Sequence, residues 1–117
     1  MDTQAEQIKR QTKQFALRII RLFRALPRAA EAQVIGRQLL RSGTAVAANY
    51  RAVCRARSKA EFIAKIGVVV EEADETVFWL EMLVEAGIVR EERMEPLLKE
   101  ANELLAIFAA SQRTARA

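Results

Sequence analysis

The sequence predicts an all-α protein, an antiparallel up-down four-helix bundle formed by one domain over residues 1–117. Three observations point there. Apolar residues recur at spacings of three and four along the chain. Its 117 residues include only two prolines and four glycines. No Asn-Gly or Asp-Gly pair marks a β-hairpin. Helices joined by short connections favour an up-down bundle, and spacings of threes and fours suit left-handed packing near 20°.

The first helix is expected from about Thr3 to Ala25, with Ile8, Thr12, Phe15, Ile19, Leu22 and Leu26 inward. Pro27 stops it, because the residue before a proline disfavours helix. The second covers about Arg28 to Arg57, with an inner stripe of Ile35, Leu39, Ser42, Val46, Asn49 and Val53. Gly36, Ser42 and Asn49 leave a slender margin beside that stripe. Gly43 costs about 1 kcal/mol in mid-helix relative to Ala, which a close backbone contact would offset. Tyr50 is expected to bury its ring and Asn49 to bridge helices by a hydrogen bond.

Ser58 and Glu61 have capping-box spacing directly before the run Phe62, Ile66, Val69 and Ala73, which opens the third helix. Gly87 is expected to end it in a left-handed conformation, with Ile88 folding back onto Leu83. The fourth carries Met94, Leu97, Ala101, Leu104, Leu105 and Phe108. Pro96 belongs to its first turn or kinks a longer helix, and the chain is expected to fray after Ser111.

Composition narrows the function. Histidine is absent, which removes the commonest general base and the usual nucleophile and zinc pairs. The chain is read as no enzyme, with no metal and no cofactor; the EEADE carboxylates (Glu71 to Glu75) lie on an outer face. The single Cys54 cannot make an internal disulfide. It is either a small packing residue or a thiol made reactive by Arg51, Arg55 and Arg57. Apolar runs are too short for a membrane span, and Met1 to Thr12 lacks the apolar centre of a signal peptide. A soluble, cytoplasmic protein is expected.

Charge is unevenly distributed. Residues 1–58 carry a balance of +9 and residues 59–117 a balance of −5. On a helical wheel Arg37, Arg41, Arg51 and Arg55 form one line opposite the core, with Arg57 nearby. Cations ranked along a helix suit phosphates, so these five are candidate RNA or DNA contacts, backbone-directed and sequence-independent. The bland alternatives are a solvated face or salt bridges to another subunit.

The outer face of the first helix carries Lys9, Arg10, Lys13, Arg21, Arg24 and Arg28, with Leu17 and Ile20 among them. The third helix mirrors it with Glu71, Asp74, Glu75, Glu81 and Glu85 around Phe78 and Met82. Apolar residues within charged faces mark association surfaces. Leu17, Ile20, Arg21 and Arg24 would meet Glu71, Asp74, Glu75, Phe78 and Met82 of a neighbour, a heterologous contact able to close into a ring.

Pro27, the segment Ser42 to Ile66 (SGTAVAANYRAVCRARSKAEFIAKI), Glu71 to Leu83 (EEADETVFWLEML) and the Gly87 stop together resemble one family. It is the bacterial four-helix-bundle family named for proteins encoded within 23S ribosomal RNA intervening sequences. Its most specific elements here are Ala48-Asn49 and Arg57-Ser58-Lys59 with Phe62. Many relatives have Ala-Glu-Gly where this chain has Tyr50-Arg51-Ala52, which marks a variant branch. The resemblance implies a homopentameric ring without enzymatic activity. It extends in fold to the accessory variability determinant of diversity-generating retroelements, a basic partner of nucleic acid and reverse transcriptase. A nucleic-acid enzyme is therefore a candidate partner, beside further copies of the chain and RNA or DNA.

Overall fold

A computed structural model describes residues 2–117; of the domain expected over 1–117, Met1 lies outside the described residues. Four helices follow in order: α1 (Gln4–Ala25), α2 (Ala30–Val53), α3 (Lys59–Glu85) and α4 (Glu91–Arg116). Each packs antiparallel on the one before it, and α1 closes against α4 across the thinnest of the four seams. The bundle measures 45 × 27 × 19 Å, so its short dimension is about two helix diameters.

Local chemistry sets the ends. Thr3 and Glu6 form a complete capping box at α1: Thr3 Oγ1 accepts from the Glu6 N–H at 3.1 Å, and Glu6 Oε2 from the Thr3 N–H at 3.3 Å. At α3 only half of the expected box forms. Ser58 Oγ accepts from the Glu61 N–H at 3.1 Å, while the Glu61 carboxylate turns to Lys65 one turn on.

The α3 stop is as the sequence predicts. Gly87 sits at φ +73°, a conformation that a side chain disfavours. The Ile88 N–H donates to the Leu83 carbonyl and the Gly87 N–H to that of Val84, completing a Schellman motif.

Both ends of α2 and the end of α4 differ from expectation, and the start of α4 decides between the two placements of Pro96. α2 begins at Ala30 without a side-chain cap and ends at Val53, four residues earlier than predicted. α4 starts at Glu91, so Pro96 lies within a longer helix. That helix also continues to Arg116 instead of fraying after Ser111. Its last turns run beside Gln4 and Phe62, with which Ser111, Thr114 and Ala115 line a hollow.

Phe15, Ile19, Leu39, Val46, Ile66, Val69, Leu80, Leu83, Leu104 and Phe108 fill the centre, all almost wholly buried. Tyr50 is buried with its ring 5.5 Å from that of Phe108. The slender part of α2 is where α1 presses closest. A Cβ on Gly43 would stand 2.9 Å from Ile19 Cγ1, and one on Gly36 2.6 Å from Leu26 Cδ1. Both are below any ordinary van der Waals separation, so close packing explains both glycines.

Asn49 is half-buried and makes no side-chain hydrogen bond among the described residues, contrary to expectation. Ser42 and Thr76 supply the polar link instead. Thr76 Oγ1 donates to Ser42 Oγ across the α2–α3 seam at 3.0 Å, and Ser42 donates to the Leu39 carbonyl. Both residues are fully buried.

Candidate functional site

The arginine line expected along α2 is split by the fold. Arg41 leans onto α3, with Nη1 3.3 Å from Glu72 Oε2 and Nη2 2.6 Å from Glu75 Oε1. Arg51 leans the other way and lines a groove against α1. Ten residues advance a helix to a position about 80° from the start, enough to send the two side chains to opposite neighbours. Arg55 and Arg57 are not on the helix at all, since α2 stops at Val53. They lie in the connection to α3. Arg37 is exposed nearer the opposite end of the bundle.

The charge on Arg41 is favoured by its two carboxylate neighbours. Its hydrogen bond to Glu75, then the nearby Glu72 charge, raise its pKa. Glu75 is held below the usual carboxylate range, first by Arg41 and then by the Trp79 indole N–H, 3.2 Å away. Arg41 thus has carboxylate partners within its own chain, and Glu75, expected to face a neighbour, is engaged at the α2–α3 seam.

The fold brings together three cations that the sequence left on separate helices. Lys9 and Lys13 of α1 and Arg51 of α2 line one groove, about 260 Å³, with Thr44, Ala47 and Ala48 as its other walls. No acidic side chain lines it, and none of the three cations forms an ion pair among the described residues. The nearest carboxylate along α1, Glu6, is occupied by the capping box. Small residues on α2 open the groove, and the charges stand at its edges.

The rim extends beyond Arg51. Cys54 shares a smaller hollow with Thr3, Ala5, Glu6 and Lys9, which puts the connection carrying Arg55 and Arg57 beside the groove's mouth. Cys54 itself is exposed, so it is no packing residue. The Tyr50 pKa is raised to about 12, by burial first and by the Cys54 thiol second; Tyr50 is therefore a neutral phenol wherever the fold persists near neutral pH.

The expected assembly faces are present as surfaces. Leu17 is 37% and Phe78 49% exposed, two of the four most exposed large apolar side chains. Ile20 and Met82 are half-buried beside them. Arg21, Arg24, Glu71 and Asp74 are exposed and form no ion pair among the described residues. Phe78 rests edge-on against Trp79, ring centres 4.9 Å apart. By contrast Arg10 pairs with Asp2, and Arg18 with Glu100 across the α1–α4 seam at 2.7 Å.

A further hollow, about 460 Å³, is lined by Gln4, Phe62, Ile107, Ala110, Ser111, Thr114 and Ala115. It carries no charged side chain and no candidate nucleophile with a base. Among the described residues no three of His, Cys, Asp and Glu converge as metal ligands, and no helix is long and apolar enough to cross a membrane.

A family model described as 23S rRNA-intervening sequence protein matches residues 4–110. The chain belongs to that family. A crystal structure of a protein of unknown function from the S23 ribosomal protein family of Bacteroides thetaiotaomicron is similar throughout. It is 31% identical, covers 95% of this chain and 99% of its own, and superposes with a TM-score of 0.86. No curated protein matches the chain. The family segment from Ser42 to Ile66 therefore spans the α2 wall of the groove, the cationic connection and the start of α3.

Proposed function

We propose that this protein is a non-enzymatic, self-assembling bundle that binds RNA or DNA through the phosphate backbone. One observation carries the reading: the groove between α1 and α2, where Lys9, Lys13 and Arg51 converge without a carboxylate. Cations without internal partners are the ones free to displace counterions from phosphates. The two lysines act as point charges and the arginine as a planar fork that can grip two phosphate oxygens. Three cations beside one hydroxyl and two alanines suit phosphates better than a run of base edges, so binding is expected to be largely independent of sequence. Such a protein would serve as an accessory subunit that holds nucleic acid for a partner enzyme.

Fluorescence anisotropy on nuclease-treated protein, with labelled RNA and DNA over a salt series, tests this. Binding should weaken linearly in log salt and be lost in a Lys9→Ala/Lys13→Ala/Arg51→Ala variant. All three side chains are exposed, so the fold should survive, as circular dichroism would verify. Absence of binding at low salt defeats the reading.

A second reading, a protein-only scaffold, is favoured by the exposure of Leu17 and Phe78 on faces of opposite charge. On that reading the variant would keep its mass and wild-type protein would bind no nucleic acid.

A further inference from the structure

The chemistry of the α1–α2 groove goes further than charge. Proteins that hold single strands combine a cationic track with aromatic side chains on which successive bases stack. This groove has no aromatic lining. Tyr50, the aromatic residue next to Arg51 in sequence, is buried against Phe108. The exposed aromatic surface, Phe78 with Trp79, lies on α3 among Glu71, Asp74, Glu75 and Glu81, where a phosphate backbone would be repelled. Unstacked bases therefore find no platform beside the cations.

What remains is charge density, and here duplex and single strand differ. A duplex carries one negative charge per ~1.7 Å of axis, against ~3.4 Å for one of its strands. Lys9 and Lys13 are one helical turn apart, a rise of about 6 Å, and Arg51 stands on the facing wall. Three cations without stacking partners gain most from the denser and stiffer array. A flexible strand would have to be ordered along the groove with no stacking to offset the entropy.

We infer that the groove selects double-stranded nucleic acid over single strands. This rests on the proposed backbone binding and names its substrate class. The shared chemistry is the phosphodiester backbone of a duplex, and the experiment separates the RNA and DNA sources.

The test is competition anisotropy with duplex DNA, duplex RNA and the separated strands of equal length, between ~0.05 and ~0.2 M salt. At least one duplex should bind about tenfold tighter than its strands, with a log–log salt slope near −2.7 for three contacts on duplex DNA. A single Lys13→Glu change, on an exposed position, should weaken duplex binding at least tenfold, while Lys99→Glu on α4 leaves it unchanged. Strands that bind as tightly as their duplex would overturn the selectivity and leave backbone binding standing. Absence of binding to every probe would remove both.

Discussion

Arg41 and Glu75 clasp α2 to α3: the guanidinium Nη2 lies 2.6 Å from the Glu75 carboxylate, which also receives the Trp79 indole N–H at 3.2 Å. Trp79 is the single tryptophan, so the state of this contact is readable by fluorescence. The Arg41 side chain is half exposed, and solvent screens the pair. A double-mutant cycle with Arg41→Ala and Glu75→Gln should give a coupling of about 0.5 kcal/mol, typical of exposed pairs. The sign with pH follows from the lowered Glu75 pKa. The folded value lies below the unfolded one, so the contribution is complete above the ordinary 4.5 and disappears as pH falls through the folded value. Urea titrations should show wild type and Glu75→Gln converging in acid, and a gap that persists there would contradict the assignment.

Gly43→Ala should destabilise the bundle although it improves helix propensity by about 1 kcal/mol. The new methyl group would stand 2.9, 3.0 and 3.3 Å from three atoms of Ile19. Ile19 is fully buried and β-branched, so no free rotamer relieves all three contacts. Overpacking costs about 1–3 kcal/mol, and the net effect should be a loss of about 1 kcal/mol in chemical denaturation. In an Ile19→Ala background the two nearest contact atoms, Cγ1 and Cγ2, are gone, so the same Gly43→Ala change should cost less there than in wild type; a stable Gly43→Ala protein would show that the helices part easily there.

Helix number, order and inner faces were legible because one period governs each segment, and Pro27, Ser58 and Gly87 punctuate them. The Thr3-Gln4-Ala5-Glu6 cap was equally legible and was missed; it has the same spacing as Ser58 and Glu61. The end of α2 was not, since Cys54 to Arg57 carries neither glycine nor proline and its charges fit a helix as well as a turn. Side-chain direction on the outer face was the harder part. A wheel places Arg41 and Arg51 on one arc, but only the neighbours decide that one faces Glu75 and the other Lys9. Counting outward from Pro27 does not reach that pairing: it sets Lys9 across from Ala45 and Lys13 across from Arg41, because helix resumes only at Ala30. Ion pairs such as Arg41 with Glu75 then separate occupied cations from free ones, which composition cannot do.

Tyr50 gives a clean optical test of packing. It is the only tyrosine, and burial ahead of the Cys54 thiol pushes its pKa up to about 12. Absorbance titration of the phenol should show no ionisation near the ordinary 10.0 while the fold persists. Because the folded value is the higher one, the neutral phenol's contribution is intact below 10.0 and declines as pH rises toward 12. Wild type should therefore lose stability over that window more steeply than Tyr50→Phe. Ionisation near 10.0 in folded protein would mean that the hydroxyl reaches water.

The two outer faces make the assembly testable without disturbing the core or the groove. Glu71 and Asp74 are exposed and unpaired among the described residues, unlike Glu75, which belongs to the α2–α3 seam. A Glu71→Lys/Asp74→Lys variant keeps every ion pair identified within the chain while reversing the charge that would meet Arg21 and Arg24. Like charges brought together across an interface cost several kcal/mol, enough to break a self-association that leans on Leu17 and Phe78. Light scattering should show an oligomer in wild type and a smaller species in the variant, with circular dichroism unchanged. Combining it with Arg21→Glu/Arg24→Glu should restore the larger mass if the proposed heterologous contact forms, since reversing both sides makes it complementary again. An oligomer indifferent to all four changes would place the interface elsewhere on the bundle.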